Sequence, residues 1–218
     1  MTAPLVPVDG QHPQPRTVGL AVQALGDGEI LGYPSDTTYA LGCDAHQRRA
    51  VERLAQLKHR DAKKPFALLV AGLSDLARYA QVSNFAYRVL RQLAPGPFTF
   101  VLPATRLVPE LLLHRRREVG LRIPDAPVAR ALVLGLGRPL VTTTATALEE
   151  LLDGGRGRVV HVEGEPLNDA TEVRDVYGHA LAQVLDAGPL PGEPSTVLSL
   201  MADSIEVIRQ GVGLVPGM

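Results

Sequence analysis

The segment PLVTTTATALEE (Pro139–Glu150) joins a short apolar run to a row of threonines. Its first part, together with the preceding Arg138, predicts a strand over Arg138–Thr144, because β-branched residues pack well in sheets. Hydroxyl groups at the end of a buried strand can also donate and accept hydrogen bonds to a phosphate. From its own residues, the segment can be a working site, a degenerate site or an ordinary strand.

Short apolar segments and amphipathic helical patterns alternate on both sides of this strand. The predicted strands are Glu29–Pro34, Pro65–Ala71, Phe98–Leu102, Arg117–Asp125, Ser195–Leu200 and Ser204–Gln210. The last two are expected to form a hairpin. The predicted helices cover residues 17–25, 46–58, 74–80, 83–94 and 126–137, and residues 173–188 are expected to mix a helix and a strand. Residues 35–45 and 153–158 are predicted to be loops.

This alternation predicts an α/β or α+β fold with a mixed sheet, in a single domain. We expect a proline-rich extended arm over residues 1–16, the domain over residues 17–210 and a tail over residues 211–218. The length of 218 residues and the hydrophobic content of 45% suit one sizeable core.

The composition also bears on the compartment. A single cysteine, Cys43, excludes a disulfide framework. No run of about 18 apolar residues predicts a membrane span, and the first residues lack the basic start and apolar core of a secretion signal. We therefore expect a cytoplasmic protein that does not enter the membrane.

Charge is distributed unevenly along the chain. Residues 1–144 carry 18 basic and 11 acidic side chains, a balance of +7, whereas residues 145–218 carry 4 and 12, a balance of −8. A basic first part suits an anionic partner such as a nucleotide or RNA. Solvated surface charge explains the same asymmetry, so the charge alone does not decide between them.

The segment KHRDAKKPF (Lys58–Phe66) holds all three lysines of the chain and one arginine. Pro65 forces the preceding residue out of helical geometry, so the segment should leave its helix as a loop. Such a loop can turn several cations toward a polyphosphate. Alternatively, these cations complement the dipole at the helix C-terminus.

A second candidate loop is YPSDTTYALG (Tyr33–Gly42), which carries Ser35, Thr37 and Thr38. Loops at strand ends often bind ligands, but serine and aspartate are also ordinary turn residues. The sequence has no P-loop and no dinucleotide-binding glycine motif. Its six histidines show no metal-ligand spacing, so we predict no metal site built from protein side chains.

Six stretches in one order resemble the YrdC-like family, and its YciO branch most. They are YPSDTTYALGCDA, KHR with KKPF, PGPFTFVLP, VGLRIPDAPVA, RPLVTTTAT and PSTVLSL, which together span about residues 17–210. The resemblance implies a twisted mixed sheet flanked by helices around a large, concave, basic cavity.

The resemblance also implies a reaction. Its best-known members make threonylcarbamoyl-AMP from L-threonine, bicarbonate and ATP and release pyrophosphate, with Mg²⁺ expected on the leaving group. The product serves the threonylcarbamoylation of adenosine 37 in tRNA. The family has also been described as binding double-stranded RNA, so tRNA, double-stranded RNA and partner proteins of tRNA modification are possible partners.

Site residues follow from the positions that match the family's motifs. The implied catalytic residues are Lys58, Arg60, Thr144 and Thr146. The implied ATP and phosphate ligands are these four together with Lys64, Ser195 and Thr196. The implied threonine ligands are Ser35, Thr37 and Arg122.

Two of these positions depart from the family's pattern. Thr144 stands where the family has serine, and Thr146 stands where it has asparagine. An amide offers two donors and an acceptor, whereas threonine offers one hydroxyl. Losing one charge-assisted hydrogen bond would cost roughly 1.5–3 kcal/mol. The chain can therefore be an ATP-dependent synthase, a YciO-type paralogue that binds a nucleotide or RNA without this activity, or a metabolite-binding protein of unrelated role.

Overall fold

The computed structural model describes residues 2–59, 66–113, 117–152 and 159–216, without the side chains of 150–152 and 159–161. Two of the predicted site residues, Arg60 and Lys64, lie outside the described residues, as does the loop predicted over residues 153–158. No helix within the described ranges is long and apolar enough to cross a membrane.

The described residues form strands and helices that alternate along most of the chain. The strands are β1 (Leu5–Pro7), β2 (Leu31–Pro34), β3 (Tyr39–Asp44), β4 (Ala67–Leu69), β5 (Phe98–Pro103), β6 (Glu118–Arg122), β7 (Leu140–Thr144), β8 (Thr146–Leu152), β9 (Val159–Pro166), β10 (Gln183–Asp186), β11 (Thr196–Ser199) and β12 (Glu206–Arg209). The helices are α1 (Pro15–Gly26), α2 (Arg48–Leu57), α3 (Leu73–Tyr79), α4 (Asn84–Leu93), α5 (Pro127–Leu136) and α6 (Ala170–Tyr177).

Ten strands form one mixed sheet in the order β1-β10-β2-β3-β7-β4-β6-β5-β11-β12. Strand β7, the apolar part of the opening segment, lies between β3 and β4 and is antiparallel to both. Its threonines therefore lie at the middle of the sheet, where Thr144 pairs with Ala40 and Thr142 pairs with Ala67.

The two faces of this sheet bury different helices, because successive side chains of a strand point to opposite faces. Leu69 and Leu140 pack with α1 and α5. Their neighbours Leu68 and Val141 pack with α2, α3, α4 and α6. The mixed α/β single domain predicted from the sequence is confirmed, and so is the antiparallel pairing of the last two strands.

Three local features of the structure differ from what the sequence predicts. The loop predicted over residues 35–45 ends at Thr38, because the six buried residues of β3 pair with β2 and β7. Strands β8 and β9 form a hairpin that was not predicted, since acidic residues interrupt its apolar pattern. Within the expected N-terminal arm, β1 joins the sheet by pairing in parallel with β10.

Candidate functional site

A cavity of about 630 Å³ lies over the sheet face that carries α1 and α5. Its volume falls within the range of roughly 300–1,000 Å³ that small-molecule sites occupy. Its polar lining comes from strands and loops far apart in the sequence. This lining consists of Tyr33, Ser35, Thr38, Thr99, Glu118, Arg122, Thr142, Thr143, Thr144, Thr146, Glu163, Ser195 and Arg209.

One end of the cavity is formed by Arg122 and the loop after β2. The Arg122 Nη2 atom donates to Asp36 Oδ1 at 2.6 Å and to Thr37 Oγ1 at 3.1 Å. The loop is braced from within, because Ser35 Oγ donates to the Thr38 carbonyl oxygen at 2.7 Å. The Nε atom of Arg122 is buried and has no hydrogen-bond partner among the described residues. The three predicted threonine ligands, Ser35, Thr37 and Arg122, are thus brought together.

Arg209 of β12 supplies a second guanidinium to the lining. Its Nη2 and Nε atoms donate to the Ser195 carbonyl oxygen at 2.8 and 3.2 Å. Partial removal from water lowers the pKa of Arg209, and the positive charge of Arg122 lowers it further. The positive charge of Arg122 therefore acts on Arg209, while the Glu163 carboxylate opposes this lowering of the Arg209 pKa.

The hydroxyl groups of the predicted pair Ser195 and Thr196 are separated. Ser195 lines the cavity, and its hydroxyl lies 3.2 Å from Thr99 Oγ1. Thr196 is fully buried, donates to the Gly213 carbonyl oxygen at 2.7 Å and accepts from the Gly211 amide at 2.9 Å. Thr196 therefore holds the chain after β12 in place, and its hydroxyl is not a ligand group of the cavity.

The threonine row forms the floor of the cavity. All four threonines of the opening segment line it. The hydroxyl groups of Thr142 and Tyr33 are hydrogen bonded at 2.6 Å. Burial raises the pKa of Tyr33 to about 12, so its hydroxyl stays protonated at neutral pH. The opening segment is therefore part of a concave polar surface as well as a central strand.

Lys58 differs most from its predicted role as a phosphate ligand. It follows α2, which packs on the opposite face of the sheet, and its side chain has no exposed area. Its ammonium donates to Thr146 Oγ1 at 2.6 Å and to the Thr144 carbonyl oxygen and the Tyr177 hydroxyl, each at 3.1 Å. The structure thus joins Lys58 to both altered threonines but does not place its ammonium at the cavity surface.

Several polar residues of the site were not predicted from the sequence. Glu163 lies 3.3 Å from the Lys58 ammonium, and Tyr177 donates to the Thr146 carbonyl oxygen at 2.6 Å. Neither residue lies in a recognisable motif. Arg209 stood in a correctly predicted strand, but strand periodicity does not reveal a cavity. In the part of the chain that the structure describes, no group of three or more His, Cys, Asp or Glu residues could hold a metal.

Comparison with known proteins places this arrangement in a family. The Sua5–YciO–YrdC family model, whose description is "Telomere recombination", matches residues 23–152. The chain belongs to this family. The matched range holds the Ser35–Thr38 loop, Arg122 and the whole threonine row.

Relatives within the family carry two kinds of name. The uncharacterized protein YciO of Escherichia coli K12 is 33% identical over 203 residues, which cover 93% of this chain and 92% of that protein. An uncharacterized protein of Haemophilus influenzae is 33% identical over 204 residues, 93% of each chain. The threonylcarbamoyl-AMP synthase of Photobacterium profundum is 30% identical over 195 residues, 87% of this chain and 96% of the synthase.

Solved structures support the same assignment. The crystal structure of Escherichia coli YciO superposes with a TM-score of 0.86 at 31% identity and 98% coverage of both chains. The structure of Sua5 from P. abyssi complexed with L-threonine superposes with a TM-score of 0.83. That match covers 95% of this chain and 57% of Sua5 at 23% identity, so it shows a shared fold.

Proposed function

We propose that this protein is an ATP-dependent synthase of the threonylcarbamoyl-AMP type. The observation that carries the proposal is the single cavity that joins Arg122 and its hydroxyl loop to the threonine row, Ser195 and Arg209. An amino acid and a nucleotide could lie in contact within a space of this volume. The threonylcarbamoyl-AMP synthases among the relatives support the reaction class.

Arg122 suits the carboxylate of threonine. A guanidinium is planar and can donate two parallel hydrogen bonds to a carboxylate, and Arg122 is held by Asp36 and Thr37 at the cavity wall. The hydroxyls of Ser35 and Thr37 lie 3.1 Å apart and form a polar patch beside it. L-threonine bound to one fold relative, P. abyssi Sua5, is consistent with an amino-acid ligand.

The proposed chemistry needs positioning more than a protein nucleophile. The threonine amine takes up bicarbonate with loss of water to give a carbamate, whose oxygen attacks the α-phosphorus of ATP and displaces pyrophosphate. Both reactants are anions, so their approach depends on charge neutralisation and orientation. Arg122 and Arg209 are the cations that the described lining offers for this task.

A magnesium ion would enter with the nucleotide and stabilise the charge of the leaving pyrophosphate. Mg²⁺ in nucleotide sites takes most of its ligands from phosphates and water, with one or two carboxylates. Glu118 and Glu163 are the glutamates of the described lining. Because Glu163 lies 3.3 Å from the Lys58 ammonium, Glu118 is the side chain of suitable chemistry for such an ion.

Pyrophosphate release from ATP tests the proposal directly. We expect release by the purified protein only when threonine and bicarbonate are both present, and we expect Arg122→Gln to reduce it. Release that is the same with and without threonine would contradict the proposal. Arg130→Gln is the matched control, because Arg130 is exposed on α5 and does not line the cavity.

A YciO-type paralogue that binds a nucleotide or double-stranded RNA without this activity is the second candidate. It is favoured by the enclosed Lys58 ammonium, which donates to Thr146 Oγ1 at 2.6 Å. In that case Thr146→Asn should raise pyrophosphate release in a protein shown to bind ATP, and an unchanged rate would count against this account.

Binding to tRNA or double-stranded RNA is tested by salt titration. Affinity carried by phosphate contacts should fall steeply as salt is raised. The absence of measurable binding at low salt would remove RNA from the possible partners.

A further inference from the structure

The Lys58 end of the cavity contains a carboxylate that already neutralises its ammonium. Among the described residues, the Lys58 ammonium donates to Thr146 Oγ1, the Thr144 carbonyl and the Tyr177 hydroxyl, and Glu163 Oε1 lies 3.3 Å away as a counter-ion. The Lys58 side chain has no exposed area, whereas that of Glu163 is 25% exposed and lines the cavity. A ligand that approaches this wall therefore meets the carboxylate before the ammonium.

We propose that Glu163 is a specificity-determining residue. Its carboxylate pairs with the Lys58 ammonium and disfavours the binding of a polyphosphate at this end of the cavity. It reaches the site from β9, opposite Leu148 in the hairpin. Because two like charges in a partly desolvated site repel each other, a phosphate beside Thr144 or Thr146 must either displace this carboxylate or bind more weakly.

The two arginines of the cavity lining are held differently from Lys58 and from each other. Arg209 donates to the neutral carbonyl oxygen of Ser195, and the Glu163 carboxylate acts on it only through its charge. Arg122 is ion-paired with Asp36 at 2.6 Å and keeps a buried Nε atom without a partner among the described residues. A ligand phosphate is therefore directed to Arg209, and a neutral or hydroxyl-bearing group is directed to the threonine row. This inference rests on the proposed function in one respect, which is that a nucleotide is taken as the ligand.

The test is the affinity for ATP, measured by calorimetry at fixed salt without threonine, in the native protein and two variants. Glu163→Gln keeps the size of the side chain and removes its charge. Glu165→Gln is the matched control, because Glu165 is exposed, lies two residues away in β9 and does not line the cavity. We expect Glu163→Gln to bind ATP about tenfold more tightly or better, and Glu165→Gln to bind like the native protein.

Thermal unfolding provides a second measurement if Glu163→Gln folds poorly. Because ATP should bind the folded protein more tightly when the Glu163 carboxylate no longer repels its phosphates, it should raise the melting temperature of Glu163→Gln more than that of Glu165→Gln. The inference is overturned if Glu163→Gln binds ATP no more tightly than Glu165→Gln, including the case in which neither binds. That result is separate from the synthase assay, which fails if a protein that binds ATP releases no threonine-dependent pyrophosphate.

Discussion

The two ends of the cavity use cations in different ways. At the Lys58 end, the ammonium is enclosed and matched by Glu163, Thr146 and Tyr177. At the other end, Arg122 and Arg209 line the cavity, where Arg122 pairs with Asp36 and Arg209 donates to the neutral carbonyl oxygen of Ser195. The difference teaches that a basic residue in a binding motif can be part of the wall that shapes a site, while the groups that meet the ligand come from other strands.

Removing the Lys58 ammonium should have the largest effect on stability. Lys58→Met leaves the Glu163 carboxylate and three hydrogen-bond acceptors without the ammonium that they contact, so we expect the free energy of unfolding to fall by about 3–5 kcal/mol. The matched control is Arg53→Met, which breaks the Arg53–Glu29 ion pair, whose side chains are 47% and 43% exposed. Such surface pairs contribute about 0–1 kcal/mol.

The measurement for this comparison is urea denaturation of both variants. The double variant Lys58→Met with Glu163→Gln should recover part of the loss, because it also removes the carboxylate that has lost the ammonium. Equal losses in Lys58→Met and Arg53→Met would mean that the Lys58 end is not the closed region described above.

At the other end, Arg122→Gln should weaken ligand binding and should also lower the stability of the fold, because Arg122 and Asp36 form an ion pair whose side chains are 11% and 9% exposed. Losing a charge-assisted hydrogen bond costs about 1.5–3 kcal/mol, which corresponds to a drop of about 10- to 150-fold in threonine affinity. Equilibrium dialysis with labelled threonine measures it, with Arg130→Gln as the control. A larger loss of threonine affinity in Lys58→Met than in Arg122→Gln would reverse the roles of the two ends.

A smaller change is expected when the hydroxyl of Tyr177 is removed. Tyr177→Phe deletes the donor to the Thr146 carbonyl oxygen and one acceptor of Lys58. We expect a loss of about 1–2 kcal/mol in urea denaturation. Tyr87→Phe, at an exposed residue of α4, should change stability by less than about 0.5 kcal/mol. If the two variants lose equally little, the network around Lys58 does not depend on this hydroxyl.

Removing the Tyr33 hydroxyl should have the smallest effect on stability at neutral pH. The effect of its ionisation on stability should appear only at alkaline pH. Burial raises its pKa in the folded protein to about 12, above a value of about 10 in the unfolded chain. Its contribution to stability is therefore fully present below pH 10 and is lost as the pH rises toward 12, by about 1.4 kcal/mol per pH unit. Urea denaturation of the native protein and of Tyr33→Phe at several pH values measures this slope as the difference between the two proteins. The same pH dependence of stability in both would contradict the prediction.

Part of this site could be predicted from the sequence because its residues lie in local patterns. The loop residues Ser35 and Thr37 and the strand-end Arg122 stand in segments whose elements are recognisable, and the mixed sheet brings them together. The position of the threonine row in a central strand also follows from its apolar, β-branched character.

The remaining part of the site, around Lys58, depends on contacts between segments that are distant in sequence. Whether a lysine at the end of α2 faces solvent or the interior depends on what lies behind the sheet, and here Thr146 and Tyr177 are 88 and 119 residues away in sequence. Glu163 belongs to a hairpin whose pattern does not alternate clearly. No local signal could therefore identify the carboxylate that accompanies Lys58.

The place of β10 in the sheet has a consequence for synthesis of the protein on the ribosome. Strand β10 lies between β1 and β2, so Leu5–Pro7 has no partner until residues 183–186 have emerged. Contacts this distant in sequence slow folding. During translation, the first strand should therefore remain unpaired while the central strands assemble, and the N-terminal edge of the sheet should be completed among the last.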